Sequence, residues 1–209
     1  MASSDAGTSS GSDYQVFLSF RGPDTRIGFT DFLFHSLTDA GICVFRDDEE
    51  LRVGERIDGS LLQAIDNSRI YIPIFSQNYA SSPWCLRELA QIVASTFKSE
   101  GNKAILPIFL DVEPNDIKLK TPLYRDAILN LEREKKLSSE QVDACREALM
   151  EVDAIKGWEA KKYRGLWRTI SSGCTINLEI LEEKSFIKKI QQILRSGVGY
   201  GCGTRASKQ

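Results

Sequence analysis

The residues best suited to chemistry lie in one short segment, Ser81 to Glu88. Its last five positions contain the aromatic ring of Trp84, the thiol of Cys85 and the carboxylate of Glu88. A serine followed by Pro83 is a usual helix start, because serine caps the first turn and proline fits its first position. At about 100° per residue, Glu88 shares a stripe with Trp84, four residues earlier, and adjoins Cys85, three residues earlier. A carboxylate beside an aromatic, partly apolar wall is suited to contact a ligand.

The same helix also has a purely structural interpretation. Its apolar positions form one arc that we expect to be buried: Cys85, Leu86, Leu89, Ile92, Val93 and Phe97. Glu88 falls just outside this arc. Helical geometry alone therefore favours Glu88 as an exposed residue that pairs with its neighbours, and Trp84 as part of the core.

A second candidate segment follows the first apolar run of the chain. It consists of Phe20, Arg21 and Gly22. We predict that the next helix begins at Asp24 or Thr25, close to this segment. Glycine permits close backbone approach, a helix N-terminus favours anions, and Arg21 or Arg26 could hold a phosphate. An ordinary turn with a capping Asp24 is the alternative.

A third candidate is the charged loop after the second apolar run, which contains the acidic pair Asp47 and Asp48 and one glycine, Gly54. The acidic pair is similar to that of magnesium-binding receiver domains, although charged sequences of this kind more often form solvated loops. A receiver domain would also need an acceptor aspartate after the third apolar run, where this chain has Phe75 and Ser76.

Composition narrows the classes of function. The 209 residues are 42% hydrophobic, which fits one globular domain with a single core. Lys and Arg total 27 against 29 Asp and Glu, so no basic field exists to attract nucleic acid or anionic lipid. No run approaches the roughly 18 to 20 apolar residues that cross a bilayer, and the chain does not open with a signal-peptide pattern. We therefore expect a soluble cytoplasmic protein, with access to the nucleus left open.

Cysteine and histidine usage argues against a metal site. The five cysteines, at positions 43, 85, 145, 174 and 202, form no cluster with metal-ligand spacing, so we expect reduced thiols. The single histidine, His35, lies in a helical pattern without partners for a triad or a metal. We expect it to be structural or merely exposed.

The elements that must position these residues alternate along the chain. Four continuous apolar runs predict strands: Val16 to Phe20, Ile42 to Phe45, Ile70 to Phe75 and Ala104 to Leu110. Helical patterns separate them, a fifth strand is predicted near Ile155, and a terminal helix is predicted around Leu178 to Leu194. This order predicts a doubly wound α/β fold with a parallel sheet and helices on both faces, whose ligands bind beyond the carboxyl ends of the strands. We expect one domain over residues 14–195, between flexible tails at 1–13 and 196–209.

Five strings in order carry a family resemblance: FLSFRGPDTR, FRDDEELRVGERI, SRIYIPIFSQNYASSPWCLREL, ILPIFLDVEPND and KGWE. With them the chain resembles the TIR domains of plant intracellular immune receptors, over about Tyr14 to Leu194. The resemblance fits either a TIR-only protein or the TIR domain of a larger receptor, and Met1 and the loose carboxyl tail favour the former. It implies a flavodoxin-like sheet of five parallel strands.

The resemblance also implies an activity. TIR domains of this kind cleave the bond between nicotinamide and ribose in NAD+ or NADP+, giving ADP-ribose or cyclic ADP-ribose isomers that signal in plant immunity and cell death. The dinucleotide is a substrate, and no cofactor or metal is implied. The family's catalytic glutamate falls on Glu88. The implied lining of the same cleft consists of Phe20, Arg21, Gly22, Arg26, Gly54, Ile57, Trp84 and Cys85.

Self-association is the last implication of the resemblance. The implied contact surfaces are the first helix and a turn near the fifth strand, with Asp31, Phe32, His35, Gly157 and Trp158 as the candidate residues. Many relatives carry Ser-His at the positions of Asp31 and Phe32, and a solvated helix face is the alternative there. A non-catalytic adaptor that acts through TIR-TIR contacts alone is the competing interpretation of the whole chain.

Overall fold

The computed structural model describes residues 14–46, 59–160 and 180–196. The predicted tails, apart from Ser196, lie outside these ranges, as do Gly54, Ile57 and the acidic pair Asp47 and Asp48. Six strand segments form one sheet: β1 (Val16–Phe20), β2 (Val44–Arg46), β3 (Ile70–Phe75), β4 (Ala104–Ile105), β5 (Ile108–Phe109) and β6 (Trp158–Glu159).

Helices cover this sheet. They are α1 (Gly22–Thr25), α2 (Asp31–Asp39), α3 (Gly59–Asn67), α4 (Pro83–Lys98), α5 (Pro114–Ile117), α6 (Pro122–Arg133), α7 (Ser139–Asp153) and α8 (Ile180–Ser196). A single 3-10 turn, Tyr79–Ser81, precedes α4. Between α1 and α2 the segment Arg26–Thr30 is kinked at Gly28, whose φ of 120° lies in the region that favours glycine.

All strand pairs are parallel, in the order β2-β1-β3-β5-β6, and β4 pairs with β3 just ahead of β5. Since β4 and β5 occupy one position, the sheet has five positions in the flavodoxin-like order 2-1-3-4-5. The predicted doubly wound α/β fold is thereby confirmed.

The two central strands explain why the apolar runs are continuous rather than alternating. Every residue of β1 and β3 is buried, because helices cover both faces of the sheet. On one face Phe17 and Tyr71 pack with α3, α4, α6 and α7, and on the other Leu18 and Ile72 pack with α2 and α8.

Helix α8 ends against the amino edge of the sheet. Nη1 of Arg69, the residue before β3, donates to the carbonyl oxygen of Leu194 at 3.1 Å. This contact places the last turn of α8 beside the point where β3 begins.

Three strand predictions need correction. The second strand begins at Val44 instead of Ile42. The predicted run Ala104 to Leu110 is interrupted at Leu106 and Pro107, because proline has no N–H to give to a ladder. The fifth strand forms at Trp158–Glu159, a few residues after Ile155.

The predicted face of α4 was also partly wrong. Phe97 is 65% exposed, whereas Glu88 and Ser95 are 2% and 5% exposed. Glu88 and Ser95 are seven residues apart and therefore lie on one stripe of the helix. The buried face of α4 is rotated towards this stripe, relative to the face predicted from the apolar residues. Ser95 is satisfied there through contacts with Asp66 and with the hydroxyl of Tyr71.

Candidate functional site

Glu88 lies in the second turn of α4, and the start of that helix fixes its position. Ser82 caps α4 by accepting a hydrogen bond of 3.3 Å from the backbone N–H of Cys85, and Pro83 occupies the first turn. Glu88 then points towards the sheet and is only 2% exposed. A carboxylate buried to this degree needs hydrogen-bond donors close by.

Ser19 supplies one of these donors. This residue is the penultimate one of β1, and its hydroxyl donates to Oε2 of Glu88 at 2.9 Å. It also lies 2.8 Å from the hydroxyl of Tyr79, which comes from the 3-10 turn before α4. The sequence interpretation missed both residues. A signal was present, because Ser19 is the one polar residue in the run VFLSF.

The groups beside Glu88 are held in their neutral forms. Burial, together with the nearby Glu88 charge, raises the pKa of the Cys85 thiol to about 12. Burial is also the main cause that raises the pKa of Tyr79 well above its usual value, and the charge of Glu88 adds to it. Cys85 is therefore an uncharged wall of the site and not a nucleophile.

Arg21 lies at the carboxyl end of β1 and is held there by Asp24. Nη1 of Arg21 contacts Oδ1 of Asp24 at 3.1 Å. The Asp24 carboxylate also accepts hydrogen bonds from the hydroxyl of Ser76 at 2.6 Å and from the backbone N–H of Asn78 at 3.1 Å. Asp24 thus joins the start of α1 to the loop after β3. The predicted helix start at Asp24 or Thr25 is wrong by two or three residues, because α1 already begins at Gly22.

The remaining implied lining residues are spread over both sides of β1. The ring of Phe20 packs with the α2 side of the sheet, while its carbonyl oxygen accepts a weak hydrogen bond from Sγ of Cys85 at 3.6 Å. The guanidinium of Arg26 lies 5.9 Å from the centre of the Phe20 ring. Trp84 is half-buried and packs against the core on the α4 side.

The structure thus gathers part of the predicted site at the carboxyl ends of β1 and β3. The residues that meet there are Phe20, Arg21, Gly22, Cys85 and Glu88, with Trp84 one turn before Glu88. Gly54 and Ile57 lie outside the described residues. In the described parts of the chain no group of three or more His, Cys, Asp or Glu side chains could hold a metal ion.

The first of the two predicted contact surfaces carries an exposed ion pair network. On α2, Oδ1 of Asp31 lies 2.8 Å from Nη1 of Arg46 and 3.7 Å from Nε2 of His35. The side chains of Asp31 and His35 are 51% and 66% exposed, and Phe32 is half-buried. The structure leaves this face accessible, and its role in self-association stays a prediction.

The second predicted surface is the turn at Gly157 and Trp158, and both residues are needed for packing inside the domain. A Cβ atom on Gly157 would lie 2.4 Å from a ring carbon of Phe109 and 2.7 Å from the carbonyl oxygen of Pro107. The ring of Trp158 packs edge to face on Phe186 of α8, with centres 4.7 Å apart. Packing within the domain therefore accounts for both Gly157 and Trp158, and their role in self-association also stays a prediction.

None of the helices in the described ranges is long and apolar enough to cross a membrane.

Comparison with known proteins places the chain in a family. The model of the TIR domain matches residues 13–190. The chain is 37% identical over 210 residues to "TMV resistance protein N" of Nicotiana glutinosa, an alignment that covers 95% of this chain and 18% of that protein. The chain therefore spans less than a fifth of that relative.

A shorter relative carries an enzymatic name. The chain is 39% identical over 114 residues to the "Probable 2' cyclic ADP-D-ribose synthase BdTIR" of Brachypodium distachyon, which covers 54% of this chain and 48% of that protein. Among solved structures, the TIR domains of the activated Roq1 resistosome that directly recognises the pathogen effector XopQ match with a TM-score of 0.62 and 37% identity. That match covers 88% of this chain and 98% of the other.

Proposed function

Because this chain belongs to the TIR domain family, we propose that it cleaves the bond between nicotinamide and ribose in NAD+ or NADP+, with Glu88 as the catalytic carboxylate. The observation that carries the proposal is the placement of Glu88. It is a buried carboxylate at the carboxyl ends of two parallel strands, where this class of fold binds ligands. The relative named as a cyclic ADP-ribose synthase supports the same chemistry.

One carboxylate suffices for this reaction. When the bond between ribose and nicotinamide breaks, both of its electrons go to the nicotinamide, whose positive charge is neutralised, so no general acid is needed. The ribose becomes oxocarbenium-like, and the negative charge of Glu88 stabilises it. Water then attacks the ribose and releases a proton to give ADP-ribose. Attack by the adenine or by a ribose hydroxyl of the same molecule gives a cyclic isomer instead.

Arg21 is the residue we assign to the diphosphate. It follows β1 at the carboxyl end of the strand, and its side chain is 29% exposed while Asp24 holds it in place. A guanidinium forms paired hydrogen bonds with phosphate oxygens. Gly22, the next residue, allows the dinucleotide to approach the backbone at the start of α1.

The burial of Glu88 adds a requirement to this proposal. A carboxylate that is 2% exposed contacts a ribose only after a neighbouring segment moves. We assign this opening step to self-association, and the similarity to the TIR domains of an assembled resistosome supports that assignment. In this proposal the products signal in plant immunity and lead to cell death, and the protein acts in the cytoplasm.

The test is nicotinamide release by the full chain at high protein concentration, with the products identified by mass spectrometry. Wild type should release nicotinamide, while Glu88→Ala and Glu88→Gln should not, because both remove the negative charge. Glu151→Ala is the matched control, since Glu151 is an exposed residue of α7, and it should behave as wild type. Equal release by wild type and Glu88→Ala would refute the proposal.

The same variants separate the enzyme from the non-catalytic adaptor. An adaptor that works by TIR-TIR contacts alone needs no carboxylate at position 88. If Glu88→Ala abolishes nicotinamide release and the cellular response survives, the adaptor function is favoured. Loss of both together favours the enzyme.

A further inference from the structure

A chain of three buried oxygen atoms ends on Glu88. The oxygens belong to Tyr79, Ser19 and Glu88, which are 0%, 0% and 2% exposed and come from the 3-10 turn, from β1 and from α4. The distances along the chain are 2.8 Å from Tyr79 to Ser19 and 2.9 Å from Ser19 to Oε2 of Glu88. The Tyr79 hydroxyl also lies 3.2 Å from the carbonyl oxygen of Cys85.

Counting hydrogens fixes the direction of this chain when Glu88 is ionised. A carboxylate only accepts, so the single hydrogen of the Ser19 hydroxyl goes to Glu88. The oxygen of Ser19 then faces the oxygen of Tyr79 at 2.8 Å, and only the hydrogen of Tyr79 is left to lie between them. The chain therefore runs from Tyr79 through Ser19 to Glu88, and each donor strengthens the next.

A protonated Glu88 would reverse the direction. Glu88 would donate to Ser19, Ser19 to Tyr79, and Tyr79 to the carbonyl oxygen of Cys85, which lies within reach at 3.2 Å. Both directions satisfy the hydroxyl groups. The first ends on a negative charge, and hydrogen bonds to a charged acceptor are about twice as strong as neutral ones. The chain therefore favours the ionised carboxylate and fixes its orientation.

We infer that Ser19 and Tyr79 are positioning residues for Glu88, which hold its carboxylate in one orientation and in its charged form for the stabilisation of the ribose cation. The catalytic part of this inference rests on the proposed function. A fixed charge costs no reorganisation during the reaction, which is the condition for strong electrostatic stabilisation.

Several other ionisable groups interact with Glu88 or with its buried neighbours Tyr79 and Cys85. From its own helix there is Cys85, from the 3-10 turn Tyr79, from α6 Tyr124, and from the segment after β1 Arg21 and Asp24. Burial raises the pKa of Cys85 to about 12 and the pKa of the two tyrosines well above their usual value. The thiol and the phenols therefore remain protonated over the pH range of an activity assay.

Two substitutions break the chain with little change of volume. Ser19→Ala removes the donor to Glu88, and Tyr79→Phe removes the hydroxyl that supports Ser19. Tyr71→Phe is the matched control, because it also removes a buried phenolic hydroxyl. That hydroxyl bonds to the carbonyl oxygen of Ile65 and to the hydroxyl of Ser95, which lies seven residues after Glu88 on α4. Thermal melting establishes that each variant is folded.

Nicotinamide release by the full chain is the first readout. Ser19→Ala should lower kcat about tenfold or more with KM nearly unchanged, and should move the acid limb of the pH profile up by about one unit. Tyr79→Phe should do the same to a smaller extent, and Tyr71→Phe should do neither. A folded Ser19→Ala variant with the kcat and acid limb of wild type would overturn the inference.

The second readout does not need activity. In protein labelled with carbon-13 at glutamate side chains, NMR follows the titration of each carboxyl carbon, and Glu88→Gln identifies the signal of Glu88. Ser19→Ala should move this titration to higher pH, by about one unit. If wild type releases no nicotinamide, the proposed function fails, but this titration still decides whether Ser19 and Tyr79 keep Glu88 charged. An unchanged titration rejects it.

Discussion

The hydroxyl of Ser76 donates a 2.6 Å hydrogen bond to the carboxylate of Asp24, across 52 residues of sequence. Ser76 follows β3, and Asp24 lies in α1 after β1, so this contact joins the two central strands at the edge where Glu88 lies. The carbonyl oxygen of Ser76 is in turn fixed by the hydroxyl of Tyr124 at 2.7 Å. Ser76 thus links three separate segments.

We predict that Asp24→Ala destabilises the fold. The substitution leaves Ser76, Asn78 and Arg21 without a shared acceptor, and losing partners of this kind costs about 1–3 kcal/mol. Urea unfolding measures the loss of stability. Asp126→Ala is the control, because Asp126 is 55% exposed and pairs with its neighbour Arg125. Equal unfolding midpoints for the two variants would contradict the prediction.

We predict that the domain loses stability as the pH rises from 9 towards 12. The pKa of Cys85 is about 12 in the folded protein and near 9 when unfolded, so the native thiol keeps its proton while the unfolded chain loses it. The unfolded state then binds fewer protons, and the free energy of unfolding falls by about 1.4 kcal/mol per pH unit for such a group.

Tyr71 extends this loss at the upper end, since its pKa is raised from 10.0 to about 12 by burial. Urea unfolding at pH 8, 9 and 10 measures the effect. In Cys85→Ala the fall between pH 9 and 10 should be smaller, and a fall equal to that of wild type would show that Cys85 is not responsible.

We predict that Cys85 resists alkylation in the native protein. Only the thiolate reacts, and Cys85 combines 2% exposure with a pKa of about 12. Cys43 is half-buried and should react faster. Iodoacetamide labelling followed by peptide mass spectrometry measures both rates. If Cys85 is modified as fast as Cys43 in folded protein, the thiol is more accessible than its burial indicates.

We predict that Gly157→Ala lowers stability by about 1–3 kcal/mol, because the added carbon would lie 2.4 Å from the ring of Phe109. Loss of self-association on substitution of Gly157 is therefore no proof of an interface. Thermal melting and sedimentation should be measured together. His35→Ala is the control on α2, since His35 is 66% exposed, and its melting temperature should match wild type. A wild-type melting temperature for Gly157→Ala would contradict the prediction.

The fold could be predicted because its signal is local. Continuous apolar runs at β1 and β3 already imply strands covered on both faces, and their alternation with helices fixes a parallel order. The broken fourth run is different. Pro107 was visible in the sequence, but the place where β5 resumes depends on its register with Ile74 and Phe75.

The site was predicted less completely, because hydrophobic patterning treats a polar residue as exposed. Glu88 and Ser95 are polar and buried, and each is satisfied by a partner distant in sequence, Ser19 in one case and Tyr71 in the other. Such partners become visible only when the strands and α4 are packed together. The family resemblance predicted a role for Glu88, but it did not indicate the hydrogen-bonded hydroxyl groups of Ser19 and Tyr79 beside it.

The contact between Arg69 and Leu194 has a practical consequence. It places the end of α8 at the amino edge of the sheet, and β3, a six-residue strand of about 20 Å, separates that edge from the one near Glu88. Ser196 is exposed there. A biotin attached at this position would tether the domain to a sensor chip with the Glu88 edge of the sheet turned to the flowing solution, so ligand binding at that edge could be tested without steric blockage.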